Sequence, residues 1–304
     1  YESSYGVDTA HRTHTHPLGR FGEGAVDLQC GNLMFDSKDF AWSGNRMPVT
    51  IRHLYNSALA EYAYTNNAQI KLQTADFSDM KVGLGFRLNL MQSMTAAAFE
   101  YDGVTLAGYV FLDENGTEKY FRESGTEVPA SGDTPSYHLY EEVTDSEMVY
   151  DPVKRTLKQG TNTCEFDEAG RLIAVVGPEI TFKGNVSTPN RITITYTANR
   201  ITSVTDGAER EFGFSYNANG QLTSIVAPDL TAVTYTYEND LLTRVDYPDD
   251  RAAVIAYTSG KPASVTLKDA ENAVVYKVAY TFGGNRLSSV TEYAADGTVG
   301  SKAE

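Results

Sequence analysis

Three imidazoles fall within a short N-terminal stretch, at His11, His14 and His16. Imidazole nitrogens suit Zn2+ or Ni2+, so the trio is a candidate metal site. The competing reading is a polar arm whose histidines alternate by chance. Asp113-Glu-Asn-Gly-Thr-Glu118 has the composition of a calcium loop. Its register is wrong, because Gly follows directly on Asp-x-Asn and no Glu stands at the twelfth position. Asn115-Gly116 reads instead as the turn of a hairpin. Glu141/Glu142 and Asp249/Asp250 could be drafted as glycosidase carboxylates. That chemistry needs two carboxyls ~5–9 Å apart in a cleft, one with a raised pKa. Adjacent acids on a strand point to opposite faces, so solvated charge is the better reading. His53 and His138 have strand-like neighbours and read as strand histidines rather than general bases. The sequence holds no Ser nucleophile elbow, Walker loop, dinucleotide fingerprint, His-Glu-x-x-His or Cys-x-x-Cys. No catalytic residue and no cofactor is expected.

These residues must be carried by some scaffold, and composition narrows which. The chain has 304 residues with 25 basic and 40 acidic side chains, a net charge of −15. That sign argues against a nucleic-acid partner, which is gripped by Lys and Arg. No apolar run approaches the ~20 residues of a membrane helix. Cys30 and Cys164 are the only cysteines and could pair or stay free. Two cysteines cannot staple a chain of this length. Aromatic content of 11% excludes a disordered chain. The sequence begins Tyr-Glu-Ser-Ser-Tyr, without Met or leader, and reads as a mature or trimmed chain.

An internal repeat dominates the C-terminal half. An aromatic, a polar turn and usually an aliphatic recur, with anchors at Phe166, Tyr196, Tyr216, Tyr237, Tyr257 and Phe282. The turns carry Gly170, Asn199, Gly220, Gly260 and Asn285, and the aliphatics are Leu172, Ile201, Leu222, Leu242 and Leu287. A second aliphatic follows at Val175, Val204, Ile225, Val245, Val265 and Val290. Before each turn apolar residues alternate, as in Ile192, Ile194, Tyr196 and Phe212, Phe214, Tyr216. Period two puts them on one face of a strand. Each unit is therefore a hairpin, with bulges or turn types absorbing differences in turn length.

Upstream, Val49, Ile51, His53 and Tyr55 alternate, and Asn115-Gly116 separates two strand-like runs. Met91–Phe99 reads either as a helix or as a strand. Residues 1–24 lack a pattern and are expected to be an arm, 25–150 an N-terminal module of hairpins, and 151–304 a repeat array.

These units resemble the YD repeats of the rearrangement-hotspot (Rhs) and teneurin superfamily, whose form is Tyr-Asp-x-x-Gly-Arg-Leu-x-x-Val/Ile. Phe166-Asp-Glu-Ala-Gly-Arg-Leu-Ile-Ala-Val175 and Tyr216-Asn-Ala-Asn-Gly-Gln-Leu-Thr-Ser-Ile225 carry the likeness best. The N-terminal module is similar to the one that precedes such repeats in bacterial proteins, through Gly31-Asn-Leu, Pro48-Val-Thr-Ile-Arg-His-Leu-Tyr-Asn-Ser57 and Gly83-Leu-Gly-Phe86. The resemblance implies an all-β fold with little helix, in which antiparallel hairpin repeats form a long, twisted, curling sheet, a partial shell. Relatives close such a shell around a C-terminal toxic polypeptide. Here the chain stops at Gly300-Ser-Lys-Ala-Glu304 without protease segment or effector, and six repeats are too few for a closed cage. A fragment or small relative is expected.

The function this implies is a non-enzymatic scaffold of an exported or cell-surface protein. Its sheet would wall in or present a C-terminal effector, with the concave face as working surface. The rival is an adhesion or glycan-binding module. Tyr196, Tyr216, Tyr237 and Tyr257 would then stack on sugars. Against that, Phe166 and Phe282 share their position, which points to ring packing in the core over any use of the hydroxyl. Neither reading uses nucleic acid or inserts in a membrane.

Overall fold

A computed structural model describes residues 13–43, 47–60, 74–145, 147–178, 180–182, 185–187 and 190–304. Two antiparallel sheets account for nearly all of it. The N-terminal sheet has the order β1 (Thr13–Pro17), β2 (Glu23–Asp27), β3 (Leu33–Trp42), β4 (Val49–Asn56), β5 (Phe86–Leu88). The alternation of Val49, Ile51, His53 and Tyr55 is real strand period, and all four side chains are buried. β1 lies within the stretch that shows no pattern in the sequence; it pairs with β2 from Thr13↔Asp27 to Pro17↔Glu23.

The second sheet has 19 strands. It starts with the meander β6 (Ser93–Tyr101), β7 (Val104–Leu112), β8 (Glu118–Val128) and β9 (Tyr137–Glu142). Met91–Phe99 is thus mostly strand; tertiary pairing overrides the helix preference of Ala96–Ala98. It continues through β10 (Val149–Asp151), β11 (Thr156–Gln159), β12 (Asn162–Phe166) and β13 (Leu172–Val176). A separate hairpin, β14 (Ile180–Phe182) and β15 (Asn185–Ser187), is inserted here. The repeats follow as β16 (Arg191–Thr197), β17 (Arg200–Thr205), β18 (Glu211–Tyr216), β19 (Leu222–Val226), β20 (Ala232–Glu238) and β21 (Leu241–Asp246). β22 (Ala252–Thr258), β23 (Lys261–Lys268), β24 (Val274–Gly283), β25 (Arg286–Ala294) and β26 (Val299–Ala303) complete the sheet. Each strand pairs with its neighbour in chain order, and no ladder joins β6 to β26 among the described residues. The sheet is therefore long and curling but open.

Each repeat hairpin has the same defect. The register shifts immediately before the anchor aromatic, at Phe166, Tyr196, Tyr216, Tyr237, Tyr257 and Phe282. The bulge sets the aromatic opposite the aliphatic that follows the turn, as in Tyr216↔Leu222. Two turn lengths serve this end. Ala198-Asn199 and Asn239-Asp240 are two-residue turns with φ positive at both positions, whereas Asp167–Arg171 and Asn217–Gln221 carry the positive φ on Gly170 and Gly220.

The core lies between the two sheets. Ring pairs join the N-terminal sheet to the repeats all along the array: Phe40 and Trp42 with Phe212 (5.8 and 5.9 Å), His53 with Tyr235 (4.7 Å), and Phe35 with Tyr280 (5.5 Å). A small sheet that touches β18, β20 and β24 can do so only if the large sheet curves around it. Val204, Ile225, Val245, Val265 and Val290 are all at most 4% exposed. Each such side chain contributes roughly 1.5–3 kcal/mol by leaving water. Cys30 is exposed and Cys164 is buried, and both are free thiols. Burial pushes the Cys164 thiol up to about 12, so it packs as a small apolar group.

Candidate functional site: the interface between N-terminal module and array

The N-terminal module grips the row of repeat turns largely through its backbone. Met94 N–H donates to Gly170 O (2.8 Å) and Leu172 N–H to Gln92 O (3.0 Å) at the first repeat. At the second, Asn199 Nδ2 donates to Asp79 Oδ2 (3.2 Å) and Ile201 N–H faces Met80 Sδ (3.4 Å). Lys81 exchanges both its backbone bonds with Gly220 and Leu222 (2.9 Å each) at the third. Leu84 N–H reaches Asp240 O (2.9 Å) at the fourth, and Leu287 N–H reaches Gly31 O (2.9 Å) at the sixth. The bulge explains the pattern: it frees the N–H of the post-turn aliphatic from the hairpin ladder and offers it sideways. In the fifth repeat that position is Pro262, which has no N–H to offer.

The landmark residues upstream of the repeats form the other half of this clasp. Asn32 Oδ1 accepts from Ser57 Oγ (2.7 Å) and Ala58 N–H (3.0 Å), Ser57 Oγ accepts from Leu33 N–H (2.9 Å), and Asn56 N–H donates to Gly85 O (3.0 Å). Gly31-Asn-Leu, Asn56-Ser57 and Gly83-Leu-Gly-Phe86 are thus brought together. Arg87 is 6% exposed and bonds Met91 O; burial lowers its pKa to about 10, so it remains a cation at neutral pH.

A buried polar group sits between the sheets. The Asp39 carboxylate, 1% exposed, accepts through Oδ2 from the Tyr235 hydroxyl (2.8 Å) and bonds His53 Nδ1. Arg20 stacks over the Tyr247 ring at 4.1 Å and donates to the carbonyls of Lys38 (2.6 Å) and Asp39 (3.0 Å). His53 is therefore a strand histidine turned into the core, as the sequence suggests. The Asp39 carboxylate that it bonds is shared with Tyr235, and that second bond carries no sequence signature, because Tyr235 lies on a strand far away in the chain.

The anchor tyrosines do more than their rings imply. Tyr196 Oη donates to Leu172 O (3.0 Å), Tyr216 Oη to Ile201 O (3.0 Å) and Tyr257 Oη to Leu242 O (2.8 Å). Each of these three repeats so bonds the one before it. The sequence suggests that burial of the ring matters more than the hydroxyl; the near-constant spacing of Tyr is the signal that the hydroxyl has a periodic partner. Tyr237 Oη has no such partner among the described residues. Tyr196→Phe, Tyr216→Phe and Tyr257→Phe are each expected to lose about 1 kcal/mol in urea unfolding, while Tyr237→Phe changes stability by less than about 0.5 kcal/mol.

His14 and His16 lie on β1; His11 lies outside the described residues. His16 is 2% exposed and shares a 2.8 Å hydrogen bond through Nε2 with Tyr280 Oη. Its ring rests on Gly24, where any Cβ would stand 2.2 Å from Nε2. Among the described residues no group of three His, Cys, Asp or Glu is placed to hold a metal ion. Burial, and then the neighbouring His14, lower the His16 pKa to about 4, with Glu292 opposing. A folded value below the unfolded ~6.5 means that His16 supports the fold fully above pH ~6.5, and that this support fades as pH falls toward 4. About 2 kcal/mol should be gone by pH 5. Denaturant unfolding at pH 7.5 and 5 should show that difference shrink in His16→Gln.

The other candidates stay apart. Asp113 Oδ1 accepts from Asn115 and Thr117 N–H (2.9 Å each) and closes the Asn115-Gly116 hairpin turn. Glu141 pairs with Arg122 (3.0 Å), whereas Glu142 turns inward and accepts from Thr144 N–H (2.8 Å). Asp249 and Asp250 occupy a turn, with Asp250 at φ +61°. His138 is on β9.

A sequence model of the RHS Repeat family matches residues 196–232 and again 216–252. Residues 196–252 carry Rhs repeats. The matched Rhs repeats contain the bulged hairpins anchored on Tyr196, Tyr216 and Tyr237. No curated protein matches the sequence. Among solved structures, TcdB2-TccC3-Cdc42 is similar with a TM-score of 0.39 and 11% identity, over 90% of this chain and 15% of that one. The Photorhabdus luminescens Tc holotoxin pore with a TccC3 mutant gives the same values. TcdB2-TccC3 itself gives 0.37 and 11%, over 93% of this chain and 17% of that one. The chain thus spans about one sixth of the length of these structures.

Proposed function

We propose that the Rhs array works as a non-enzymatic scaffold, a stretch of wall in an exported or cell-surface protein that presents or helps enclose a C-terminal effector. The observation that carries this is the use made of the chain's polar and aromatic residues. The repeat anchors bond repeat to repeat, the landmark asparagines brace the N-terminal module, and the buried Asp39 ties the module to the repeat sheet. The concave face of the repeats is filled by the N-terminal sheet. It follows that this stretch forms a capped part of a wall, and that any effector lies beyond the filled part. A wall acts by steric separation and needs no reactive side chain.

The glycan-binding alternative relied on a free row of tyrosine rings. Tyr196, Tyr216, Tyr237 and Tyr257 pack against the core, and three of the four hydroxyls are bonded to backbone. In a test on the intact chain, limited trypsin digestion should leave one resistant body containing both N-terminal module and array. A glycan array and a panel of glycoside and peptide substrates should show neither binding nor turnover. A saturable glycan hit, or turnover abolished by one substitution, would overturn the scaffold reading. In the natural host, tagged protein is expected at the surface or in the medium; retention in the cytoplasm would contradict export.

A further inference from the structure

The acidity of this chain is not spread evenly. Residues 92–151 hold 13 acidic side chains against two basic ones, so a net −11 of the total −15 falls on the β6–β10 region. Glu100, Asp102, Glu123, Glu127 and Glu147 are all exposed there. The repeat array, by contrast, is studded with Arg–Asp pairs such as Arg171–Asp167 and Arg210–Asp206.

The same region ends in an open strand. Among the described residues β26 forms a ladder with β25 alone, and β6 with β7 alone. Its ladder with β7 runs without a bulge from Ser93↔Leu112 to Tyr101↔Val104. On the other side only its first residues are engaged, through Met94 N–H to Gly170 O and the Ser93–Arg171 bridge. From Thr95 to Tyr101 no strand covers that side among the described residues. This segment reads Thr-Ala-Ala-Ala-Phe-Glu-Tyr, with no Pro, Gly, Lys or Arg, and Ala96 and Ala98 are exposed. An edge of this kind is a template for another strand, and proteins normally blunt it. The opposite edge, β26, is blunted: it has five residues and includes Gly300 and Lys302.

We propose that the outer edge of β6, Thr95–Tyr101, is a β-augmentation site for a basic extended segment of a partner polypeptide. Main-chain ladder bonds would supply the contact, as in other strand-addition complexes. The small Ala96–Ala98 side chains leave room for side chains of the incoming strand. The charge selects the occupant. Glu100 and Asp102 stand at the end of the edge and Glu123 two strands away, about a Debye length at physiological salt, so an incoming cationic strand is drawn in and an anionic one repelled.

The test uses the full chain and a synthetic peptide in which Val alternates with Lys and Thr. Two controls accompany it: a counterpart with Glu for Lys, and a version of the basic peptide N-methylated at alternate residues, which keeps the charge but cannot form a ladder. Titration by fluorescence anisotropy should show binding of the basic peptide alone. Its affinity should fall at least ~tenfold between about 50 and 300 mM NaCl. The N-methylated peptide should bind at least ~tenfold more weakly, and hydrogen exchange should show new protection at Thr95–Tyr101. The exposed triple substitution Glu100→Lys, Asp102→Lys, Glu123→Lys should reverse the preference toward the acidic peptide. Equal binding of the N-methylated peptide, protection on β26 instead of β6, or no binding of the basic peptide would each overturn the proposal.

Discussion

Replacing Asp39 with alanine is expected to lower the unfolding free energy by about 4 kcal/mol, the largest loss from any single polar side chain here. The carboxylate is 1% exposed and joins two strands of the N-terminal sheet to the repeat sheet through His53 and Tyr235. Its removal orphans the Tyr235 hydroxyl and His53 Nδ1 inside the core, at roughly 1–3 kcal/mol for each buried polar group left unpaired, with a small cavity in addition. Calorimetry should show the midpoint fall by roughly 8–12 °C. Asp39→Asn keeps one acceptor and should cost about half as much. The double substitution Asp39→Ala, Tyr235→Phe should be less destabilised than the sum of the single ones by at least about 1 kcal/mol, because the second removes a group the first had orphaned. Additive losses would mean that the bond between the sheets does not exist.

Gly170→Ala should be nearly as harmful, at about 3 kcal/mol, although it adds one methyl group. Gly170 has φ +81°, where a side chain is strained, and a Cβ there would stand 2.3 Å from the carbonyl oxygen of Met94. That oxygen is backbone and cannot swing away, so the substitution pushes the N-terminal module off the first repeat and breaks the Met94–Gly170 bond. Gly160→Ala is the matched control. Its φ is +57° and nothing lies within 4 Å of its Cβ position. It should show only the backbone cost, about 1 kcal/mol. Urea unfolding of the two variants separates the steric part from the conformational part; equal losses would show that the clasp does not depend on close approach at Gly170.

The repeat hairpins and their turn chemistry were legible because they are local. Aromatic alternation, Asn or Gly in the turn and the following aliphatic are all read within about ten residues, and each pair forms as expected. The β6 strand shows where local signals stop: Ala96–Ala98 favour a helix until pairing with β7 decides otherwise. Tyr196 and Tyr216 looked like packing rings, since the partners of their hydroxyls are backbone carbonyls, which any residue has. His16 read as one of a candidate metal trio or as part of a polar arm, and only the fold shows its ring lying on Gly24 and bonded to Tyr280. The Asp39–His53–Tyr235 group joins β3, β4 and β20, and the bond from Tyr235 spans 196 residues, so no local pattern announces it. Pro262 could have been read as an exception to the post-turn aliphatic, but its meaning appears only once the clasp is known.

The repeat sheet curls because the N-terminal sheet fills its concave face and the segments around it hold its turns. Producing residues 91–304, the 19-stranded sheet with the repeat array in it, alone and again together with a separate chain of residues 1–90, tests this directly by thermal unfolding followed by circular dichroism. The array alone should show no cooperative transition and should bind a hydrophobic dye, since its inner row from Val204 to Val290 would face water; adding the 1–90 chain should restore a sharp transition. A cooperative transition of the array alone, within about 2 kcal/mol of the intact chain, would show that the repeats curl and pack without the N-terminal sheet.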